Sequence, residues 1–304
     1  MAKDAIEAGR GLIVIDIIDK CQLSDEIKKV TPADKLLEID CSNPNQLQSF
    51  SYNELQIKED MDIYTKVSIA MQKAQQIQVL LDAINDDNSK LTPRMLRYLY
   101  ASATVVFYKN SNSSLKNVID ILTTPSKRMS LIESIGEEAK GMLLDEIDDL
   151  LDLNKENKGK IENYDSKIDG IVDRISWLKT NMFTKLAFTK NSDENINFID
   201  AINDNKVILI KIPEKTFNSG MLRNVIATFY LSKVWLCKQL GATDNKTELF
   251  FDEIHQSYNC QLLLEKILVE HRKFNLVPTL AMHYLGQCTT KCKNSILASG
   301  SSFL

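Results

Sequence analysis

Residues 246–256 read K-T-E-L-F-F-D-E-I-H-Q, and the reading of this stretch decides the fold class. The run is of strand length and ends in two adjacent carboxylates, Asp252 and Glu253. Neighbouring side chains on a strand point to opposite faces, so two such carboxylates serve different jobs. At the end of a strand Asp252 reaches the water shell of a Mg²⁺ ion, while Glu253 orients and deprotonates an attacking water, the division of labour that nucleotide hydrolysis needs. The same string also arises as an exposed acidic strand end. A hydrolytic site further needs a phosphate loop, G-x-x-x-x-G-K-S/T, and no such string occurs in the 304 residues.

Working outward, four more short apolar runs have strand length: L-I-V-I-D (12–16), L-L-E-I-D (36–40), K-V-I-L-I-K-I (206–212) and V-P-T-L-A-M-H (277–283). Continuous apolar runs of this kind mark strands buried on both faces. Between the later ones lie helical patterns, M-L-R-N-V-I-A-T-F-Y-L-S-K-V-W-L-C-K from 221 and Q-L-L-L-E-K-I-L-V-E-H-R from 261. Helices of that length between strands imply right-handed crossovers and a mostly parallel, doubly wound α/β sheet. P-N-Q-L-Q-S-F-S-Y-N-E-L (44–55) reads as loop. The terminal G-S-S-F-L (300–304) reads as the start of a further strand, so the chain is expected to be cut at both ends.

From about residue 60 to 191 the pattern changes. Leu, Ile, Met and Lys recur at helical spacing and charged residues fill the opposite faces, which predicts an inserted all-helical domain. The expected organisation is 1–59 as the first part of the α/β domain, 60–191 as the insert, and 192–304 as the second part. Within the insert, L-T-P-R-M-L-R-Y-L-Y-A-S-A-T-V-V-F (91–107) predicts a helix capped by Thr92 with Pro93 at its first position. G-M-L-L-D-E-I-D-D-L-L-D-L-N (141–154) predicts an amphipathic helix with an acidic face. N-K-E-N-K-G-K-I-E-N-Y-D-S-K (154–167) is polar and reads as a connection; its charge run is a solvated face or an acidic docking surface.

Composition sets broad bounds. The chain is 44% hydrophobic and 26% charged, long enough for one large or two medium domains with real cores. A formal net charge of -4 supplies no global pull toward nucleic acid, so such contact must come from local patches or an oligomer. Six cysteines lie scattered, which suits reduced thiols in cytoplasm. Cys288 and Cys292, the close pair, read as one face of a helix rather than a zinc site, since no second ligand pair accompanies them. No apolar run approaches the roughly 20 residues that span a bilayer, and the first residues are too charged for a signal peptide.

The order of motifs, G-R-G-L-I-V-I-D, L-L-E-I-D, a helical insert ending near D-R-I-S-W-L, then K-V-I-L-I-K-I, L-F-F-D-E-I-H-Q, H-R-K-F-N-L and T-L-A-M-H-Y-L-G-Q, resembles the motor domain of conjugative coupling proteins. These are the TraG/TraD-like type IV secretion ATPases, within the HerA/FtsK group of RecA-like DNA translocases. The resemblance covers most of the chain and is strongest over 206–287. It implies a RecA-like sheet with an inserted all-α domain, ATP and Mg²⁺ as cofactors, and a homo-hexameric motor that moves DNA. It further implies a relaxase or secretion-channel ATPases as partners, and a place at the cytoplasmic face of a membrane through a segment not present here. In that family the phosphate loop lies just before the helix that precedes a strand like L-I-V-I-D, which is where this chain begins. The family follows its first strand with a proline-lysine-glycine-acidic turn; this chain reads D-I-I-D-K, without the glycine. The family carries a glutamine where His283 stands, so His283 or Gln287 is the expected sensor of the γ-phosphate. The alternatives are a non-hydrolysing assembly relative whose insert recruits substrate, and a HerA-like DNA-processing motor.

The remaining candidates each carry two readings. Asp16, at the ligand-binding edge of the sheet, supports the magnesium shell or caps the next turn. His255 and Gln256 couple nucleotide state to movement or serve as structural hydrogen-bonders. Arg272 neutralises a transferred phosphoryl group, in cis or in trans, or makes a surface ion pair; Arg174 and Arg223 are weaker candidates of that kind. A DNA-binding patch would draw on Lys66, Lys73, Arg94 and Arg97, or on Arg272 and Lys273 at a pore.

Overall fold

The computed structural model describes residues 2–84, 90–154, 167–242, 245–300 and 302. Most of the polar connection (155–166) and the last residues of G-S-S-F-L lie outside the described residues. Two compact units divide the chain, one formed by Met1–Leu47 with Ile196–Leu304, the other by Gln48–Asn195.

The first unit is built on β1 (Gly11–Asp16), β2 (Leu36–Asp40), β3 (Val207–Lys211), β4 (Thr247–Phe251) and β5 (Leu276–Leu280), each at an expected apolar run. They form one five-stranded sheet in the order β2-β3-β1-β4-β5, and every pairing is parallel. All six residues of β1 are buried, as befits a central strand covered on both faces. Alternation divides its side chains: Leu12 and Val14 join Val207 and Leu209 in a cluster with Ile27, packed by Ala2 and Ile6 of α1 (Ala2–Glu7) and by Leu23 of α2 (Gln22–Val30).

After β3 the chain returns through α12 (Gly220–Gln239), whose residues from Met221 to Lys238 are all buried. α13 (Tyr258–Glu270) joins β4 to β5 and α14 (Thr290–Ala298) follows β5. Because β1 sits between β3 and β4, the chain spreads to either side of it. That is a topological switch point, and the crevice outside the strand C-termini there is where open α/β sheets bind ligands.

The second unit is helical. It comprises α3 (Ile63–Asp82), α4 (Pro93–Lys109), α5 (Leu115–Thr123), α6 (Pro125–Glu133), α7 (Glu137–Met142), α8 (Leu144–Asp152), α9 (Asp169–Leu178) and α10 (Met182–Thr189), whereas α11 (Phe198–Asn203), which leads into β3, belongs to the first unit. Thr92 caps α4 by accepting the Met95 N–H, and Pro93 occupies the first turn, since a proline lacks only an N–H that would be unpaired there.

Residues 48–59 are irregular and cluster with this unit rather than with the sheet. Their backbone groups find partners there. Asn195 accepts the Ser49 N–H at 2.7 Å and donates to Ser49 O and Ser51 O at 3.2 and 2.9 Å. Lys73, on α3, donates from Nζ to Tyr52 O and to Leu55 O, the latter at 3.2 Å. A buried loop is tolerated when its polar backbone groups are paired in this way.

Candidate functional site

All five strands are parallel, so their C-terminal ends share one edge, and Asp16, Asp252 and Glu253 lie on it. Asp252 is the first residue beyond β4, and its N–H still donates to Ile15 O at 3.2 Å, which sets it beside Asp16 at the end of β1. Asp16 is 1% exposed. Its Oδ2 accepts the Ser24 N–H at 2.9 Å and its Oδ1 lies 3.5 Å from the Ile18 N–H, so it caps the turn into α2, one of its two expected roles.

Burial pushes the Asp16 carboxyl above the usual carboxylate range, against the hydrogen bonds from Ser24. Burial also raises Asp252, reinforced by the charges of Asp16 and Glu253. A carboxyl raised by burial and by the charges of two neighbouring acids marks a place where a cation relieves the repulsion. Among the described residues no three His, Cys, Asp or Glu side chains group as metal ligands. Mg²⁺ fits such a donor set, because it is commonly held by one or two carboxylates together with waters and phosphate oxygens.

Glu253 adopts a left-handed backbone, φ 50° and ψ 47°, a conformation that costs a non-glycine residue about 1–3 kcal/mol and concentrates at functional sites. The turn is held by the Ile254 N–H to Ala281 O. Glu253 Oε2 lies 3.3 Å from His255 Nε2 and 3.7 Å from His283 Nε2, and the two imidazoles sit 5.9 Å apart, tilted by 49°. His255 Nδ1 is buried without a hydrogen-bond partner. The carboxylate is thus flanked by two ring nitrogens.

The structure brings together Asp16, Asp252, Glu253, His255 and His283. It does not place His283 on a strand: pairing of β4 with β5 stops at Leu280, because β4 ends at Phe251 and turns at Glu253. The Gln287 Oε1 accepts the N–H groups of His283 and Tyr284 at 3.0 and 3.1 Å, so its carboxamide oxygen closes its own segment. Gln256 lies in the short turn Ile254–Gln256.

Arg272 lies just before β5, at the N-terminal edge of the sheet, about 17 Å along a five-residue strand from the acidic pair. Its Nη2 donates to Ser299 O at 2.7 Å, so it does not join this site in cis. Arg223 donates to Phe217 O at 2.8 Å and pairs with Glu214 at 3.1 Å. Arg174 belongs to the helical unit, where burial lowers its pKa against the charge of Asp82.

The turn after β1 carries Asp19 at φ 38° and Cys21 at φ 60°. The left-handed backbone that a glycine there would adopt freely is therefore formed without one. Asp19 O accepts the Glu214 N–H at 3.0 Å, fastening this turn to the segment after β3.

Of the basic residues expected in a DNA-binding patch, Lys73 is withdrawn from the surface: it is fully buried, because its amino group is spent on the 52–55 loop. Arg97 pairs with Asp149 at 3.1 Å, Lys66 donates to Glu59 O, Arg94 is exposed at the start of α4, and Lys273 lies over the Phe274 ring. Cys292 is on α14 but Cys288 precedes its cap, Thr289; both thiols are buried, and Cys288 Sγ lies 3.6 Å from Met282 Sδ. No helix of the described residues is long and apolar enough to cross a membrane.

Gln261 joins the site as a residue outside the acidic motif, and the sequence carries a signal for it. It shares the buried face of α13 with Leu264 and Leu268, where a carboxamide is out of place unless its polar atoms are used.

No protein-family model matches the chain, and no curated protein matches it. Solved structures do. The plasmid coupling protein TrwB in complex with ADP and Mg²⁺ superposes with a TM-score of 0.60 at 13% identity, over 98% of this chain and 64% of that one. TrwB with the non-hydrolysable ATP analogue ADPNP gives 0.59 at 14% identity, over 98% and 64%. VirB4 of Thermoanaerobacter pseudethanolicus gives 0.51 at 12% identity, over 96% and 67%. The chain spans 62–64% of the length of the TrwB chains it matches. The α/β RecA-like fold expected from the motif order is thus the fold that the chain shares with conjugative coupling proteins.

Proposed function

We propose that the chain is the hydrolytic part of an ATP-driven motor of the conjugative coupling type, which moves DNA toward a secretion channel. The observation that carries this reading is the pairing of Asp252 and Glu253 at the switch point: one carboxyl beside Asp16, the other held in a left-handed turn against two imidazoles. Mg²⁺ and ATP, when bound, supply the electrophilic phosphoryl group and the charge that the raised carboxyls of Asp252 and Asp16 would balance. Asp252 would hold the water shell of the metal, and Asp16 keeps the β1 turn in place beside Asp252. Glu253 orients the attacking water and takes its proton, and His283, 72% exposed at its side chain, faces the open side of the cluster as the sensor.

Fold kinship with TrwB and VirB4 supports the choice of nucleotide and of transport system. DNA, a relaxase or channel ATPases as partners, a homo-hexameric ring, a recognition role for the helical insert, and a place at the cytoplasmic face of a membrane are parts of the same proposal. Arg272, remote from the acidic pair of its own chain, would act in trans in such a ring.

One feature favours a second reading. The phosphate-loop string is absent from these 304 residues, as in a non-hydrolysing relative that recruits substrate through its helices. The experiment that separates the two is to read the DNA upstream of the first codon. A frame open through G-x-x-x-x-G-K-S/T after an apolar strand supports the motor; a stop codon followed by a genuine start signal supports the assembly protein.

A further inference from the structure

A buried carboxamide in α13 spans the two segments that carry the imidazoles of the site. Gln261 is 2% exposed. Its Nε2 donates to His255 O at 3.3 Å and lies 3.5 Å from Ile254 O, and its Oε1 accepts the Thr289 N–H at 2.7 Å. Thr289 in turn caps α14 by accepting the Cys292 N–H at 3.1 Å. The segment between His283 and Thr289 is closed on itself by Gln287, so it is positioned as a piece. An apolar residue at the Gln261 position would strand the Thr289 N–H and the His255 carbonyl, and a buried carboxamide is itself favourable only when its donors and acceptor are matched.

We infer that Gln261 is the positioning residue of the Glu253 cluster. It fixes the turn at Ile254–Gln256 against the segment from Met282 to Thr289, so that His255 and His283 face one carboxylate. Glu253 is strained and its own side-chain partners lie at 3.3 and 3.7 Å, so the geometry depends on how the two segments are held. The consequence for hydrolysis rests on the reading of Glu253 as the water-orienting base; the positioning itself is measured without nucleotide.

The chain contains three histidines, which makes imidazole NMR of the full 304-residue chain a direct readout. His271, whose Nδ1 meets Leu276 O at 2.8 Å at the opposite edge of the sheet, is the internal control. Gln261→Met, which keeps the length and removes every polar atom, is expected to move the ring signals of His255 and His283 and leave His271 in place. Gln261→Glu, which retains the acceptor for Thr289 and loses the donor, is expected to move His255 while the Thr289 N–H stays protected. Unmoved His255 and His283 in Gln261→Met, or a His271 shift of equal size, would overturn the assignment.

Should the Met variant fail to fold, hydrogen exchange in the unsubstituted chain decides. The Thr289 N–H should exchange at least about 10-fold more slowly than the Thr290 N–H, which has no intrahelical partner at the first helical position; equal rates would refute the bond. In the chain joined to a phosphate loop, loss of ATP turnover in Gln261→Met without movement of the histidine signals would count against Gln261 and leave the reading of Glu253 standing.

Discussion

Replacing Lys73 with methionine tests how residues 48–59 are tied to the helical unit. The side chain is fully buried, its Nζ donates to Tyr52 O and Leu55 O, and it lies 5.2 Å from the centroid of the Phe107 ring. Methionine keeps the stem and its packing and deletes the donors. Each stranded carbonyl costs about 1–3 kcal/mol, and relief from burying the amino group returns a few kcal/mol of the total. The net expectation is a loss of about 2 kcal/mol, or about 4–8 °C in Tm for a unit of this size. The chain has two tryptophans, Trp177 in the helical unit and Trp235 in the sheet unit. A Trp235→Phe background therefore lets Trp177 fluorescence follow urea unfolding of the helical unit alone. A midpoint unchanged or raised by Lys73→Met would show that the two hydrogen bonds do not outweigh the cost of burying the amino group.

Further expectations follow from the same geometry. Asp16 and Asp252 bind protons more tightly folded than unfolded, so their cost to stability is absent below the unfolded carboxyl pKa, grows as pH rises from there to the folded pKa, and is fully present above it. Asp16→Asn, whose side-chain oxygen still accepts the Ser24 N–H, should raise the urea midpoint at about pH 8, with the difference closing toward about pH 3; a constant difference across that range would contradict the electrostatic account. The six cysteines are all buried, and burial pushes the thiols of Cys41, Cys260 and Cys292 up to about 12. A colorimetric disulfide reagent should therefore find almost no fast-reacting thiol in the native chain and all six in guanidinium. Arg272→Ala, which loses one exposed hydrogen bond, should shift Tm by less than about 2 °C; a larger fall would show that the contact with Ser299 organises the N-terminal edge of the sheet.

The strands were legible because parallel strands buried on both faces are written as unbroken apolar runs, as in L-I-V-I-D and V-I-L-I. What the runs do not encode is their order. That Asp16 lies beside Asp252, across 236 positions of sequence, follows from β1 pairing with β4 and from no local pattern. The acidic pair was legible in its residue types, but the left-handed turn that aims Glu253 at two imidazoles was not, since Asp-Glu carries no glycine to announce a positive φ.

Lys73 misled for a physical reason. A lysine on an amphipathic helix is ordinarily solvated, and only the nearness of an irregular loop with unpaired carbonyls makes its burial favourable. Residues 44–55 read as loop from their polar punctuation, and the reading of their conformation holds. Their burial does not follow from composition, because it depends on Asn195 and Lys73, which are distant in sequence. Gln261 is the opposite case: its place among Leu264 and Leu268 was visible, and it marks where helical periodicity is broken by a polar residue with work to do.

The measurement that bears most directly on the account is steady-state ATP hydrolysis by this chain joined to a phosphate loop, compared with its Glu253→Gln variant. The account predicts a fall of at least about 100-fold, the usual contribution of a positioned general base, with Mg²⁺-dependent nucleotide binding retained. Turnover within about twofold of the unsubstituted protein would contradict it, and would move the search for the catalytic base away from the edge of β4.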